Sequence, residues 1–547
     1  MNSWADRLEY RRLRAPRQDG GVLVEPPWSR VDEIVAANVR LRASGGPDFF
    51  GMSLASLADE ARRELLTEAA RYTASYADPG WEPSREKASQ CRVFLAGHQP
   101  QLFHPGVWFK NFALGRLAQR YGAVAVNLVI DSDTMKSHAV RVPGGSPEAP
   151  RASMIPLDDP GPVVPFEERS ISNRALFESF GQRAMEHLAG LIDDPLLGDY
   201  WPLAVARSRR TENLGECLAQ SRHCWERGWG LQTLEIPQSR VCQFRSFARF
   251  TVRLLAEMDR LAAIYNEAVR EYRRIHRIRS TAHPVPDLAV VPPWWESPYW
   301  IWTRDDPRRR RLFVSRRGRH LVLSDRQGLE FSLEFSASGD PRRAIEGILD
   351  MGRRGVKLRS RALVTTMFAR LVLGDLFLHG IGGAKYDQLT DAIIQRLFGL
   401  EPPSFLVLSA TILLPTPRRQ VTPEEARRIQ RQLRDLDYHP ETFLNTAACA
   451  GRDCEAAALV AAKKRWIDTP PTAENARTRW REIRRINAAL QPWVAERREA
   501  LLRERAAVAA ALAAESVLAW REYAFCLYPG PFLRDALASL LPSSSAE

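Results

Sequence analysis

Residues 92–138, RVFLAGHQPQLFHPGVWFKNFALGRLAQRYGAVAVNLVIDSDTMKSH, limit the fold more than any other stretch. Residues 93–96 are a short apolar run with the character of a buried strand. The run stops at Gly97 and gives way to a loop broken by Pro100, Pro105 and Gly106. Beyond it, Val107, Phe109, Phe112, Leu114, Leu117 and Tyr121 recur at three- and four-residue spacings, and Gly122 supplies a helix stop. A second apolar run, 123–130, ends on Asp131 and Asp133. Strand, loop, helix and strand predict a βαβ unit with parallel strands.

Ligands of such units sit beyond the carboxyl ends of the strands. Both chemically loaded segments, 98–110 and 131–138, fall at that edge. The helix that starts near Gly106 directs its free N–H groups and positive dipole end to the same place. His98 and His104 are therefore candidate catalytic groups that hold a phosphate or give it protons. Asp131 and Asp133 would orient a hydroxyl or amine, or hold magnesium through water. A lone histidine would more simply brace the loop. Two on one loop, facing two carboxylates, favour the functional role.

The chain has 547 residues, too many for one core, so two or three domains are expected. No apolar run approaches the roughly 20 residues that cross a bilayer, and the N-terminus lacks the apolar centre of a signal peptide. The expected location is the cytoplasm, with no membrane partner. Seven cysteines without a CxxC pair suggest neither a disulfide framework nor a zinc site. The net charge of +13 suits nucleic acid or an anionic small molecule. The arginines are spread widely, without a basic face interleaved with aromatics, which favours the small molecule. Lysine is scarce: only Lys87, Lys110, Lys136, Lys357, Lys385, Lys463 and Lys464. Lys110, Lys136 and Lys385 fall in or beside loops that also carry glycine, histidine or aspartate. A compact ammonium suits a point contact with phosphate or carboxylate there.

Along the chain, residues 1–90 read as an N-terminal helical segment, notably 53–77. Residues 140–170 read as a long surface loop, and 176–191, 207–227 and 246–279 as helices. Five aromatics crowd into 294–302 around Glu296, where prolines exclude a helix interior. Trp300 and its neighbours form either a core plug or a platform for a ring. Glu296 is a candidate acceptor for ligand hydroxyls, because a buried carboxylate needs partners. Residues 311–314, 320–323 and 329–335 read as short antiparallel strands, and 341–351 and 360–371 as helices.

A second strand–glycine loop–helix junction follows. DLFLH, 375–379, leads into GIGGAKYD and then a helix over 386–397. Gly380, Gly382 and Gly383 allow close approach of backbone to a ligand, with His379, Lys385, Tyr386 and Asp387 beside them. FLVLSATILL, 405–414, reads as the next buried strand. Residues 421–547 are helical. Trp480, Ile483, Asn487, Leu490, Val494, Arg497 and Leu501 mark a heptad-like seam, with a kink expected at Pro492. The two junctions are predicted to share one cleft at the edge of a single parallel sheet.

The order of these features resembles the cysteine-adding enzymes of bacillithiol biosynthesis, a cysteine ligase family. Its first motif, approximately GQQxGLFxGPLYxxxK, corresponds to GHQPQLFHPGVWFKN here, matching at Gly97, Gln99, Leu102, Phe103, Gly106 (shifted by one) and Lys110. An EDHD-like motif corresponds to IDSDTMKSH, ending at Lys136 and His138. A GGPGExxY-like loop corresponds to HGIGGAKYDQL, matching in glycines and Tyr386. His98 stands in place of a glutamine, His104 of a small residue and Lys385 of an acidic one, and the acidic motif lacks its histidine. The match covers the core motifs and little of 140–350.

The resemblance implies an α/β chain with a Rossmann-like parallel-sheet core over 91–415, interrupted by a helical insertion at about 165–350. It further implies a C-terminal helical coiled-coil arm over 416–547; the apolar seam of 480–501, which a solitary helix could not hide, predicts that this arm promotes a homodimer. The implied reaction joins cysteine, an amino acid, to the amino-sugar conjugate glucosaminyl malate by a carbon–nitrogen bond. ATP or another nucleotide, with magnesium, is open as a cofactor. A nucleotidyltransferase acting on a different small molecule is the alternative enzyme. A non-enzymatic helical assembly protein is the third reading; histidine, aspartate and lysine at both junctions argue against it.

Overall fold

The computed structural model describes residues 8–43, 46–81, 91–336, 339–418, 421–444 and 453–542. Lys87 and Cys449 lie outside them. In chain order the strands are β1 (Gly21–Glu25), β2 (Val93–His98), β3 (Val124–Val129), β4 (Ala139–Ser146), β5 (Ala149–Pro156), β6 (Leu234–Pro237), β7 (Val290–Val291), β8 (Trp294–Thr303), β9 (Arg310–Arg317), β10 (His320–Ser324), β11 (Glu330–Glu334), β12 (Val356–Ser360), β13 (Leu376–His379) and β14 (Leu406–Thr411).

The chain is a mixed α/β protein organised on a six-stranded sheet, β1-β14-β13-β2-β3-β6. Every neighbour pair from β14 to β6 is parallel, and β1 closes one edge antiparallel to β14. β2 and β3 are joined by helix Pro105–Tyr121, whose left-handed stop is Gly122 at φ 57°. Successive residues of β2 face opposite layers. Val93 and Leu95 pack with helices 54–74 and 245–275, and Phe94 and Ala96 with helices 105–121 and 174–208. The Pro105 helix buries Trp108, Phe109, Leu114 and Leu117. Each such side chain contributes about 1.5–3 kcal/mol on leaving water.

The N-terminal segment, expected to be helical, also supplies β1. Residues 140–170, expected as a loop, begin with the hairpin β4–β5, whose Gly144 and Gly145 sit within the ladder. The insertion is not wholly helical. It carries a second sheet, β11-β10-β9-β8-β12 with β7 on β8, antiparallel throughout. The register of β8 against β9 shifts between Glu296 and Trp300. In the C-terminal part, helix Pro423–Tyr438 packs on Ala495–Leu518, and Asp453–Asp468 on Ala476–Leu490. Asn487, Leu490, Val494 and Leu501 of the expected seam are buried, whereas Trp480 and Arg497 are exposed. A turn of 3-10 helix at Gln491–Val494, containing Pro492, breaks the period between them. After Leu518 the chain returns to the main sheet, where Tyr523–Tyr528 are buried. Among the described residues no helix is long and apolar enough to cross a membrane.

Candidate functional site

β2 and β13 are parallel neighbours, and each ends on a histidine. After β2 the loop runs to His104, the N-cap of the Pro105 helix, and no side chain caps that helix. Gly106 is required for its seating. A Cβ there would lie 2.0 Å from the Ala410 carbonyl oxygen of β14. Lys110 is 2 % exposed, and its ammonium donates back to the Gly97 carbonyl oxygen at 2.9 Å. Burial, and secondarily the Arg222 guanidinium, lower its pKa to about 8. His98 Nδ1 lies 3.1 Å from the Gln99 carbonyl oxygen. That geometry assigns the proton to Nδ1 and leaves Nε2 as an acceptor. His104 Nδ1 is buried without a hydrogen-bond partner among the described residues. Burial lowers both imidazoles to about 3, helped at His98 by Lys110 and at His104 by Arg521. Both are neutral near pH 7. A neutral ring gives one N–H at most, so the expectation that both donate to a phosphate is narrowed to His104.

After β13, Gly380 is the N-cap of helix Ile381–Phe398, again with no side-chain cap. His379 Nε2 lies 2.8 Å from Asp387 Oδ2, on the second turn of that helix. Asp387 also accepts from Thr366 at 2.6 Å and Arg370 at 2.7 Å. These cations and donors hold its carboxyl far below the usual range against the pull of burial. Arg370 lies on a five-residue π-helical turn, Ala369–Leu373, and also bonds Asp391 at 2.5 Å. Gly383 is required by the histidine rather than by a ligand, because a Cβ there would fall 2.4 Å from His379 Nδ1. Gly382 faces open space.

Both junctions open on one cavity of about 1080 Å³ at the carboxyl edge of the sheet. Gly97, His98, Gln99, His104, Lys110, Asp133, Lys136, Trp300, His379, Gly380, Gly382, Gly383, Lys385 and Tyr386 all line it. Four other residues singled out from the sequence do not. Asp131 turns into a separate depression, where Ser239 donates to it through backbone N–H at 2.9 Å and through its hydroxyl. Burial, then the neighbouring Glu167, raises its pKa to about 7. His138 contributes its backbone carbonyl to the base of the β4–β5 hairpin. Glu296 is 1 % exposed and is held by Arg361 at 2.8 Å, Arg311 at 3.3 Å and the Ala289 N–H. A carboxylate that deep recruits its own cations, and this one is held by two arginines rather than facing the cavity. Asp387 lies behind His379.

Four arginines that carry no local motif complete the wall: Arg14, Arg309, Arg361 and Arg521. Two of them lie over the Trp300 ring, Arg361 at 4.0 Å and Arg309 at 4.9 Å from its centre. It therefore supports cations rather than offering a bare face. Arg309 pairs with Asp133 at 3.1 Å, and Gln99 donates to the same carboxylate at 3.0 Å. Arg521 arrives from the C-terminal return and bonds Ser409 and the Ala410 carbonyl of β14. Against Lys110, Lys136, Lys385 and the four arginines, the wall carries, among the described residues, only the carboxylates of Asp133 and Glu522. Nothing in that set fits a protein-held magnesium ion. Asp133 is committed to Arg309 and Gln99, and no group of three or more potential ligands occurs among the described residues. Phosphate oxygens fit well, since basic side chains and two uncapped helix N-termini converge on one space.

No protein-family model matches the chain, and no curated protein matches it.

Proposed function

We propose that this protein is a small-molecule enzyme whose cavity binds a polyanionic substrate and joins it, or a fragment activated on it, to an amine. The observation that carries the reading is the concentration of basic side chains and two helix N-termini on one enclosed space at the sheet edge. The motif resemblance narrows the reaction to ligation of cysteine to an amino-sugar malate, on a Rossmann-like core with a C-terminal helical arm that pairs two copies. A malate dicarboxylate and the phosphates of a nucleotide are both anions of the kind this wall suits. Lys385, Lys136 and Arg361 would bind and orient them, and Lys110 with the N–H groups of both helix starts would draw negative charge inward. Bound ATP, or another nucleoside triphosphate, would supply the activating phosphoryl group.

Calorimetric titration of the full chain with ADP, ATP, cysteine and glucosaminyl malate tests this reading, followed by mass spectrometry for an amide product. Saturable binding of a nucleotide or malate conjugate, weakened at least tenfold by Arg361→Ala or Lys385→Ala, is the expected result. No saturable binding by any of the four overturns it. Release of pyrophosphate without an amide product would favour the nucleotidyltransferase.

A further inference from the structure

Three histidines line the cavity, and only one has a carboxylate behind it. His98 spends Nδ1 on a backbone carbonyl, and His104 has no carboxylate partner. His379 is 6 % exposed, with Nε2 fixed by Asp387 at 2.8 Å. An ionised carboxylate accepts only, so Nε2 carries the proton and Nδ1 carries the lone pair. Nδ1 makes no hydrogen bond among the described residues, and the ring lines the cavity beside the start of the Ile381 helix. Phe377 and Phe405 pack against the ring at 4.5 and 5.0 Å between centres. Asp387 is itself fixed from behind by Arg370 and Thr366. An acceptor nitrogen of set tautomer, backed by a buried carboxylate, is the arrangement of a general base.

We infer that His379, through Nδ1, is the group that takes the proton from the attacking amine, and that Asp387 is its positioning residue. The inference rests on the ligase reading above. In the step it serves, the amine nitrogen attacks an acyl phosphate formed with a nucleoside triphosphate. The carbon–nitrogen bond forms, and the carbon–oxygen bond breaks with its electron pair going to the departing phosphate. The proton shed by nitrogen passes to Nδ1, and the imidazolium is held by Asp387. The charged groups facing the ring are Asp387 on the Ile381 helix that follows β13, Arg370 on the π-helical turn and Lys110 on the Pro105 helix. The two cations and burial keep the resting ring neutral. An anion in the cavity offsets them.

The test is nitrogen-15 NMR of the full chain labelled at histidine, titrated in pH with and without inorganic pyrophosphate. The His379 signal is identified by its loss in His379→Gln. The expected result is the Nε2–H tautomer at rest, and at least a tenfold rise in proton affinity when pyrophosphate saturates the site. Asp387→Asn should abolish the single tautomer; if that variant fails to fold, the wild-type titration decides. A resting Nδ1–H tautomer overturns the inference. So does saturable pyrophosphate binding that leaves His379 unmoved, and in that case the anionic cavity stands. A cavity that binds neither pyrophosphate nor any of the four ligands named above removes the ligase reading and this inference together, whatever the tautomer.

Discussion

The two strand–helix junctions are built alike and charged differently. β2 and β13 lie side by side, each ends on a histidine, and each leads to a helix without a side-chain cap. At the first junction burial and Lys110 drive His98 to about 3, with no carboxylate to oppose them. At the second, Asp387 opposes burial, and Arg370 anchors Asp387. Topology thus supplies the same seat twice. Under the function proposed above, the charges behind each seat would have one hold an anion and the other move a proton.

The largest expected difference is in stability. Asp387→Ala leaves buried Arg370 with Asp391 as its remaining carboxylate, takes an acceptor from Thr366 and His379 as well, and should cost about 3 kcal/mol in urea unfolding. His98→Ala gives up one backbone hydrogen bond, about 1 kcal/mol. Equal losses would break the comparison. In turnover per folded molecule, His104→Ala should cost about 100-fold, the effect of removing one preorganised donor, and His98→Ala distinctly less. If the order is reversed, the tautomer assigned to His98 is wrong.

The glycines sharpen the contrast. Gly106→Ala drives a Cβ into a β14 carbonyl that cannot step aside, and should lower stability by about 1–3 kcal/mol by thermal melting. Gly383→Ala meets only the His379 ring, which can turn away. It should melt closer to wild type while disordering the His379 tautomer. The smallest effect is in pH. Lys110 titrates near 8 in the fold against an ordinary 10.5. Between those values the unfolded chain binds more protons, so its contribution to stability rises with pH across that window. Anion affinity moves oppositely and should fall as pH climbs through 8. Lys110→Met should flatten both slopes.

Four of the five parallel strands, β2, β3, β13 and β14, and both junctions were legible because a buried strand is a continuous apolar run, and the two junction strands ended in loops too polar to bury; β6, four residues long, was not read. β1 was not, since GVLVE is a half-exposed edge strand whose partner lies nearly 400 residues on. Asp131 and Asp133 looked equivalent in the sequence. The chain leaves β3 at Val129, so the alternation that would put them on one face no longer applies, and they part into different depressions. Arg309 belongs to the dense run 308–311, which does not say which of the four faces a site, and Arg361 and Arg521 had no local signal. In a chain this rich in arginine, only the fold distinguishes cavity arginines from surface ones. Glu296 was correctly suspected of needing partners, and the partners proved to be arginines of the protein itself.

The return of residues 521–528 to the sheet also sets a timetable. A chain is made from its N-terminus, and the cavity draws on Arg14 near the start and on Arg521 after every other wall residue but Glu522. β2 and β3 emerge early, while β13, the neighbour that covers the other side of β2, comes some hundreds of residues later. Through that interval the growing chain carries an open, apolar strand edge of the kind that invites wrong pairing. A chain that has not yet reached Arg521 lacks one of the four arginines of that wall.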